Sequence, residues 1–377
     1  MLLHHDKSGQ KVPWRGWLRR RDGPRRGAGL PRGDGSRRVV LNGAAAVFLL
    51  AAVLVSALVG AADLNPLDTI AALADKIPFV HLDTGLTRID QAVLYQIRLP
   101  RIVVGALVGG LLAVAGAGYQ GVFRNPLVDS GMLGASAGGG LGATIAIVYL
   151  GRLGPGAVPV AAFAGSLAGV AIAALAGVAG RASGYLGSGA ATLLLAGVAV
   201  SMFLTAAQTL ILQRSTQVLQ QVYSWLLGSL AGASWQQVTE ILPYAAISTL
   251  VLLLHGRHLD VLSVGDEEAR ALGQSPRSVR GIIVAAAALA AASAVAVSGL
   301  IGFVGIIIPH VARRLAGPSY RAVLPLSLLG GAGFLVLADT LARTVLAPSE
   351  LPIGVVTALV GAPAFIWVLR GTRTVET

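Results

Sequence analysis

Apolar runs of about 20 residues recur along almost the whole length of the sequence. A helix of that length spans the hydrocarbon core of a bilayer. Composition agrees, because 55% of the residues are hydrophobic and only 12% are charged, about half the charged fraction that is usual in soluble proteins. The sequence therefore predicts an all-α polytopic membrane protein.

Ten transmembrane helices are expected from these runs, although residues 281–312 also fit one long helix. A basic segment of residues 1–38, rich in Arg, Gly and Pro, precedes them and is expected to be a disordered tail. Residues 39–377 are expected to form one membrane domain. The predicted spans are 39–62, 100–122, 131–150, 157–179, 190–213, 236–255, 281–298, 299–312, 322–342 and 353–369.

The positive charge of the chain is a topology signal. A net charge of +12 would suggest nucleic acid binding in a soluble protein, but 11 of the 29 Lys and Arg residues precede Val39, next to the first span. With a cytoplasmic start and ten crossings, 22 of these residues face the cytoplasm and 7 face outward, as the positive-inside rule requires. We expect both termini in the cytoplasm, the lipid bilayer as a partner and no nucleic acid.

One charged segment, residues 256–280, interrupts the apolar pattern and is called the handle below. Acidic residues at Asp266–Glu268 suit the first turn of a helix, and Gly273 suits its left-handed stop. Ser275-Pro276 is typical of the start of a second helix. We expect two short cytoplasmic helices, which are too small for a domain but suitable for contact with another protein.

Two glycine-rich motifs look like nucleotide sites but are better explained by helix packing. Gly116–Gly121 matches G-x-G-x-x-G, yet it ends a span and lacks an acid about 20 residues later. The glycines at 134–142 are not followed by the lysine of a Walker A loop, and none of the three lysines in the chain follows a glycine. We expect close helix approach at Gly116–Gly121, and at 134–142 either close helix approach or an opening in a span that lines a cavity. No enzymatic activity and no cofactor bound by this chain are expected.

Three sets of polar residues lie in or beside the spans. Ser201, Thr205 and Gln208 share one helix face, which either hydrogen-bonds across helices or lines a passage. His310 and Arg313 lack a second His at ligand spacing and a nearby acid, so a structural or interfacial role is favoured over a metal or proton site. Asp339 and Arg343, spaced i and i+4, are expected to pair with each other.

A series of short motifs also follows the chain from about residue 98 to residue 370. The motifs are Arg98-Leu99-Pro100-Arg101, Gln120, Arg124-Asn125-Pro126-Leu127, Leu133-Gly134, Gly265, Ala269–Gly273, Gly302–Gly305, Ile308–His310, Ala338–Thr340, Glu350–Thr357, Gly361 and Pro363. In their order and spacing they resemble the FecCD family, the permease subunits of ABC importers for iron-siderophore complexes, haem and cobalamin.

The resemblance implies a type II ABC importer permease with ten spans in a bacterial cytoplasmic membrane. It implies a dimer with a second copy or a paralogue, two ATPase subunits that bind ATP and Mg²⁺, and an extracytoplasmic substrate-binding protein. Spans 2–5 and 7–10 are expected to be inverted halves, with the translocation path at the dimer axis. Ferric siderophore is the expected cargo, and haem and cobalamin are the alternatives.

The resemblance also assigns roles to particular residues. Arg98, Arg101 and Arg343 correspond to arginines that dock acidic residues of the binding protein. The path residues are not assigned by the resemblance; Ser201, Thr205 and Gln208 are candidates for the path because they share one polar helix face. ATPase coupling falls on the handle, at Asp266, Glu267, Glu268, Ala269, Arg270, Leu272 and Gly273 and in the segment after Ser275.

Two other functions fit the sequence less well. A secondary carrier needs acids or histidines at mid-membrane depth, whereas Glu240 and Asp339 fall near predicted span ends. An intramembrane enzyme needs a cluster such as H-E-x-x-H or paired acids, and the sequence contains neither.

Overall fold

The structure is a computed structural model that describes residues 34–371 except 61, 63, 77–83, 155 and 183–188. Most of the predicted basic tail, residues 1–33, lies outside the described residues. The described part is built from α-helices. They are α1 Asp34–Leu58, α2 Pro66–Asp75, α3 Arg88–Ala92, α4 Leu99–Phe123, α5 Ala135–Tyr149, α6 Ala157–Ala182, α7 Gly189–Arg214, α8 Leu219–Leu226, α9 Trp235–Leu254, α10 Gly256–Val264, α11 Asp266–Ala271, α12 Pro276–Ser298, α13 Val304–Ala316, α14 Tyr320–Thr344 and α15 Ile353–Gly371.

Ten of these helices correspond one to one to the predicted spans, and the all-α membrane fold is confirmed. Seven helices in the described part are long and apolar enough to cross a bilayer, and α5, α13 and α15 are shorter. Residues 281–312 do not form one helix, because Gly299 and Phe303 both have positive φ angles and end the helical path there. The eighth span consequently begins at Val304, five residues later than predicted.

Helix α4 lies at the centre of the bundle. It is apolar on all sides, as expected of a helix surrounded by others, and 83% of its most apolar stretch is buried, against 11% for α1. Small residues allow the close packing: a Cβ atom at Gly116 would overlap the carbonyl oxygen of Gly305 on α13. The packing explanation of the Gly116–Gly121 motif is confirmed.

The glycines at 134–142 play the same part between α5 and α6. A Cβ atom at Gly138 would overlap the carbonyl oxygen of Gly165, and one at Gly142 would overlap that of Ala161. Gly134, which has a φ of 92°, directly precedes α5 and lies against Gly169. Close helix approach is therefore confirmed here as well.

The helices run in an inverted arrangement. The handle lies at one end of the bundle, called the handle end, and the start of α4 lies at the other, called the far end. α4 and α6 run toward the handle end, and their counterparts α12 and α14 run away from it. α7 runs away from the handle end, and its counterpart α15 runs toward it. The short helices α5 and α13 both begin inside the bundle, and they lead to opposite ends. This is the architecture of inverted repeats.

Candidate functional site

The handle is built from α10, α11 and the first turns of α12. Gly273 adopts a φ of 76° just beyond α11, as predicted, and the backbone N–H of Gln274 donates to the carbonyl of Ala269 at 2.9 Å. Pro276 occupies the first turn of α12 behind Ser275, also as predicted. The second short helix was wrongly predicted, because α12 continues without a break from Pro276 to Ser298 as a membrane span. The handle is therefore continuous with the membrane domain.

Asp266 joins the handle to two spans. Its carboxylate accepts hydrogen bonds from Arg280, with Nη1 at 2.8 Å from Oδ2, and from Nη2 of Arg124 at the end of α4. Hydrogen bonding by Arg280, with the positive charge of both arginines, lowers the pKa of Asp266 despite desolvation. Charge-assisted bonds of this kind are about twice as strong as neutral ones, so α11 is tied to both α4 and α12.

Asp260 makes a second connection, from α10 to α14. Its carboxylate accepts hydrogen bonds from the Ser319 hydroxyl at 2.8 Å and from the backbone N–H of Tyr320, the first residue of α14. A carboxylate at this place also favours the positive end of the α14 dipole. Nε of Arg124 in turn donates to the carbonyl of Leu262 at 3.0 Å. The handle is thus fixed to α4, α12 and α14.

The opposite face of α11 is open. Ala269 is fully buried and holds the helix against the bundle, whereas Glu267, Glu268 and Arg270 are exposed. Leu272 is 70% exposed although it is apolar. A leucine flanked by charged side chains on a short, anchored helix gives a surface with an apolar centre and a polar rim, which is the usual composition of a protein interface.

The far end holds a cluster of buried ions. Arg101 binds Asp339 through Nε at 2.9 Å and Nη2 at 2.8 Å, and it binds Glu350 through Nη1 at 2.8 Å. Arg343 donates to the backbone carbonyl and the hydroxyl of Ser56, both at 2.6 Å. The predicted pairing of Asp339 with Arg343 is only a 3.7 Å contact, and Arg101 is the main partner of Asp339.

The three arginines for which docking of a binding protein was predicted are buried within the chain, and the docking role stays a prediction. Arg98, Arg101 and Arg343 are 3%, 8% and 5% exposed. Arg98 donates to the carbonyls of Ala57 and Ala62 at 2.6 and 2.7 Å, which leaves all three guanidinium groups bound within the chain. The predicted topology places them together at one end, but the sequence could not show the internal partners, because these lie 36 to 287 residues away.

The polar face of α7 is divided between two environments. Ser201 and Thr205 line a shallow cavity of about 570 Å³ together with Met132, Val198 and Met202. Gln208 is buried and donates through Nε2 to the Thr144 hydroxyl on α5 at 2.9 Å. Of the two predicted uses of this face, Gln208 takes the cross-helix hydrogen bond, and only Ser201 and Thr205 face an open space.

The hydrogen bond between Gln120 and Arg313 was not predicted from the sequence. Gln120 on α4 donates to the carbonyls of Val128 at 3.1 Å and Gly305 at 2.9 Å, and its Oε1 accepts from Arg313 at 2.6 Å. This buried link holds α13 against α4, and it gives Arg313 the structural role that was favoured for it. Gln120 was noted only as part of a motif, and its partner is 193 residues away.

The comparison with known families decides where the chain belongs. The sequence pattern of the FecCD transport family matches residues 48–371, which include nine of the ten helices that correspond to predicted spans and the second part of α1. The chain belongs to the FecCD transport family. The handle, the buried arginine cluster and the inverted helices all lie inside the matched region.

Relatives of this FecCD-family chain are import permeases. It is 41% identical over 290 residues to the cobalamin import system permease protein BtuC of Halobacterium salinarum, covering 77% of this chain and 76% of the relative. It is 36% identical over 319 residues to the Fe(3+)-citrate import system permease protein YfmD of Bacillus subtilis, covering 84% and 90%. A solved structure assigned to a metal-chelate type ABC transporter, inward-facing, matches with a TM-score of 0.75 and 29% identity over 88% of this chain and 99% of that one. The chain is thus an ABC-importer permease of the group that carries iron chelates, haem or cobalamin.

Proposed function

We propose that this chain is the permease subunit of an ATP-driven importer for ferric siderophore in a bacterial cytoplasmic membrane. The observation that carries the proposal is the handle, whose open face is available to a partner while its inner face is tied to three spans. Asp266 ties it to α4 and α12, and Asp260 ties it to α14. Displacement of α11 by a partner would therefore move the membrane domain directly.

The proposed energy source lies on two separate ATPase subunits, which bind ATP and Mg²⁺. The sequence has no Walker A loop, so hydrolysis requires another chain. The handle end holds Arg257, Arg270, Arg277 and Arg280, and this excess of arginine supports a cytoplasmic location for it. Both termini then lie in the cytoplasm, and Glu267, Glu268 and Leu272 contact the ATPase.

The proposed path lies between this chain and a second permease copy or paralogue. Ser201 and Thr205 on α7 supply polar groups on an otherwise apolar outer face, where Met202 and Phe203 are 70% and 71% exposed. A substrate-binding protein delivers the cargo at the far end. Haem and cobalamin are alternative cargoes, and they are supported by 40% identity to a hemin permease and 41% identity to a cobalamin permease.

A single-cysteine experiment tests the handle contact, because the natural chain contains no cysteine. Leu272→Cys is treated in native membranes with a thiol–amine cross-linker, and the products are identified by mass spectrometry. The matched control is Leu153→Cys, which replaces a leucine that is 72% exposed but lies at the far end. We expect a Walker-type ATPase to be joined to the Leu272→Cys chain alone. The proposal fails if neither variant captures an ATPase or if both capture it equally.

A further inference from the structure

A cleft beside the handle is a second feature that the transport function does not explain. It has a volume of about 910 Å³ and lies between the end of α4, α6, the start of α7 and α12. Its walls are apolar, with Phe123, Leu167, Val170, Ala174 and Val284 among the lining residues. Ligand sites in proteins usually have volumes of about 300 to 1,000 Å³, so the cleft is large enough to hold a molecule.

The mouth of this cleft is charged. Asp266, Arg270, Arg277 and Arg280 line it. Asp266 and Arg280 neutralise each other through their paired hydrogen bonds. Arg270 and Arg277 are exposed and form no ion pair with any residue that the structure describes. The rim therefore presents two uncompensated positive charges above an apolar slot.

The depth of the slot matches one leaflet of a membrane. On α12 the lining residues extend from Pro276 to Ala288, and eleven steps separate the charged residue Arg277 from Ala288. At a rise of about 1.5 Å per residue, these eleven steps span about 16 Å. The hydrocarbon core of a bilayer is about 30 Å thick, so one leaflet contributes about 15 Å. The arginines lie at the level of the headgroups when the apolar walls lie at the level of the acyl chains.

We propose that this cleft binds an anionic phospholipid, with its acyl chains against α6 and α12 and its phosphate on Arg270 and Arg277. Basic pockets between membrane helices are suited to such headgroups, and the apolar walls distinguish this cleft from a site for a free anion. The lipid would also touch the Asp266–Arg280 pair and so brace the base of the handle. The inference needs only the membrane fold and does not depend on the identity of the cargo.

Native mass spectrometry of the full chain in detergent tests the proposal directly. Phosphatidylglycerol is titrated against the natural chain and against a double variant, Arg270→Gln with Arg277→Gln. Each arginine near an anionic lipid surface contributes roughly fivefold to affinity, so we expect the double variant to bind at least about tenfold more weakly. The matched control is Arg257→Gln with Arg321→Gln, which removes two exposed charges at the handle end but outside the cleft, and it should bind as the natural chain does.

Further arms of the experiment distinguish a bound lipid from a free anion and from general attraction to the detergent-covered surface. Ala174→Trp fills the apolar slot and should weaken phosphatidylglycerol binding while the arginines remain. Phosphatidylethanolamine, which has no net charge, should bind the natural chain at least about tenfold more weakly. Equal binding of the two lipids, equal loss in both double variants, or full competition by inorganic phosphate would overturn the proposal. An unchanged melting temperature of each variant shows that a loss of binding does not come from unfolding.

Discussion

Arg101, in the first turn of α4, binds the carboxylate of Asp339 on α14 through a bidentate pair of hydrogen bonds, with Nε 2.9 Å from Oδ2 and Nη2 2.8 Å from Oδ1. The two side chains are 9% and 3% exposed. A fork-to-fork arrangement fixes orientation as well as distance. It locks the central helix to its most extensive neighbour at the far end, 238 residues away in sequence.

Removal of Asp339 is expected to be severely destabilising. Asp339→Asn leaves Arg101 and Arg343 with less compensation in a buried site, and breaking a buried pair costs about 3–5 kcal/mol. Glu350→Gln is the matched control, because Glu350 binds the same arginine but its side chain is 36% exposed, and it should cost less than about 1 kcal/mol. Denaturant unfolding in detergent micelles measures both. Equal losses would show that the buried pair is not the stabilising element.

The Asp266 linkage predicts a dependence of stability on pH. Its pKa is lowered in the folded chain, while the unfolded value is about 3.9. The stabilisation is therefore fully present above the unfolded pKa and is lost as the pH falls through the folded pKa. We expect Asp266→Asn to be about 1 kcal/mol less stable than the natural chain at pH 7, and this difference should shrink progressively below about pH 4.

Glu267→Gln provides the control for that experiment, since it removes an exposed carboxylate from the next residue of the same helix. Thermal unfolding of the three chains from pH 7 to pH 3 should give parallel curves for the natural chain and Glu267→Gln. A difference for Asp266→Asn that stays constant down to pH 3 would argue against the linkage.

Close packing at Gly116 is expected to forbid even one methyl group. Gly116→Ala places a Cβ atom against the backbone of Gly305, and overpacking of this kind costs about 1–3 kcal/mol. Gly281→Ala on α12 has open space around its Cβ position and should be neutral or up to about 1 kcal/mol stabilising, because alanine favours a helix. In detergent, the melting temperature of Gly116→Ala should fall, and that of Gly281→Ala should stay unchanged or rise. A neutral Gly116→Ala would refute the packing argument.

On α7, Gln208 is hydrogen-bonded to Thr144 whereas Thr205 lines a cavity. We therefore expect substitution of Gln208 to reduce stability and substitution of Thr205 to reduce transport. Gln208→Ala removes the cross-helix bond to Thr144 and should cost about 0.6–2 kcal/mol of stability. Thr205→Trp instead narrows the cavity beside α7, so it should reduce transport while the melting temperature is kept. Uptake and thermal unfolding measured on both variants test this. A transport defect in Gln208→Ala without a loss of stability would place that residue on the path instead.

Local signals in the sequence were enough to predict where helices begin and end at caps, but not how the helices pack against one another. The Asp266–Glu268 start and the Gly273 stop of α11 depend on neighbouring residues, and the structure has them where they were predicted. Pro276 likewise begins α12, yet the length of that helix depends on its burial against α4 and α6, so its continuation was missed. The break before α13 requires a positive φ at Phe303, which no residue preference indicates.

The burial of arginine side chains could not be predicted from the sequence either. Charge and predicted topology placed Arg98, Arg101 and Arg343 at one end, but exposure is decided by what else folds there. Three carbonyls and a hydroxyl from the segment 56–62, together with two carboxylates from α14 and the loop after it, occupy these guanidinium groups. These partners are distant in sequence, so only the structure could show them, and the docking role stays a prediction.

The most direct test of the account is uptake in proteoliposomes that contain this permease, its copurifying ATPase and the substrate-binding protein, with ATP inside and radiolabelled ferric siderophore outside. The natural chain is compared with one whose Asp266–Leu272 segment is a Gly/Ser linker. We predict uptake that requires ATP and is abolished by the linker, while the linker chain still inserts in the membrane. Uptake by the permease alone, or equal uptake with and without ATP, would contradict the central claim.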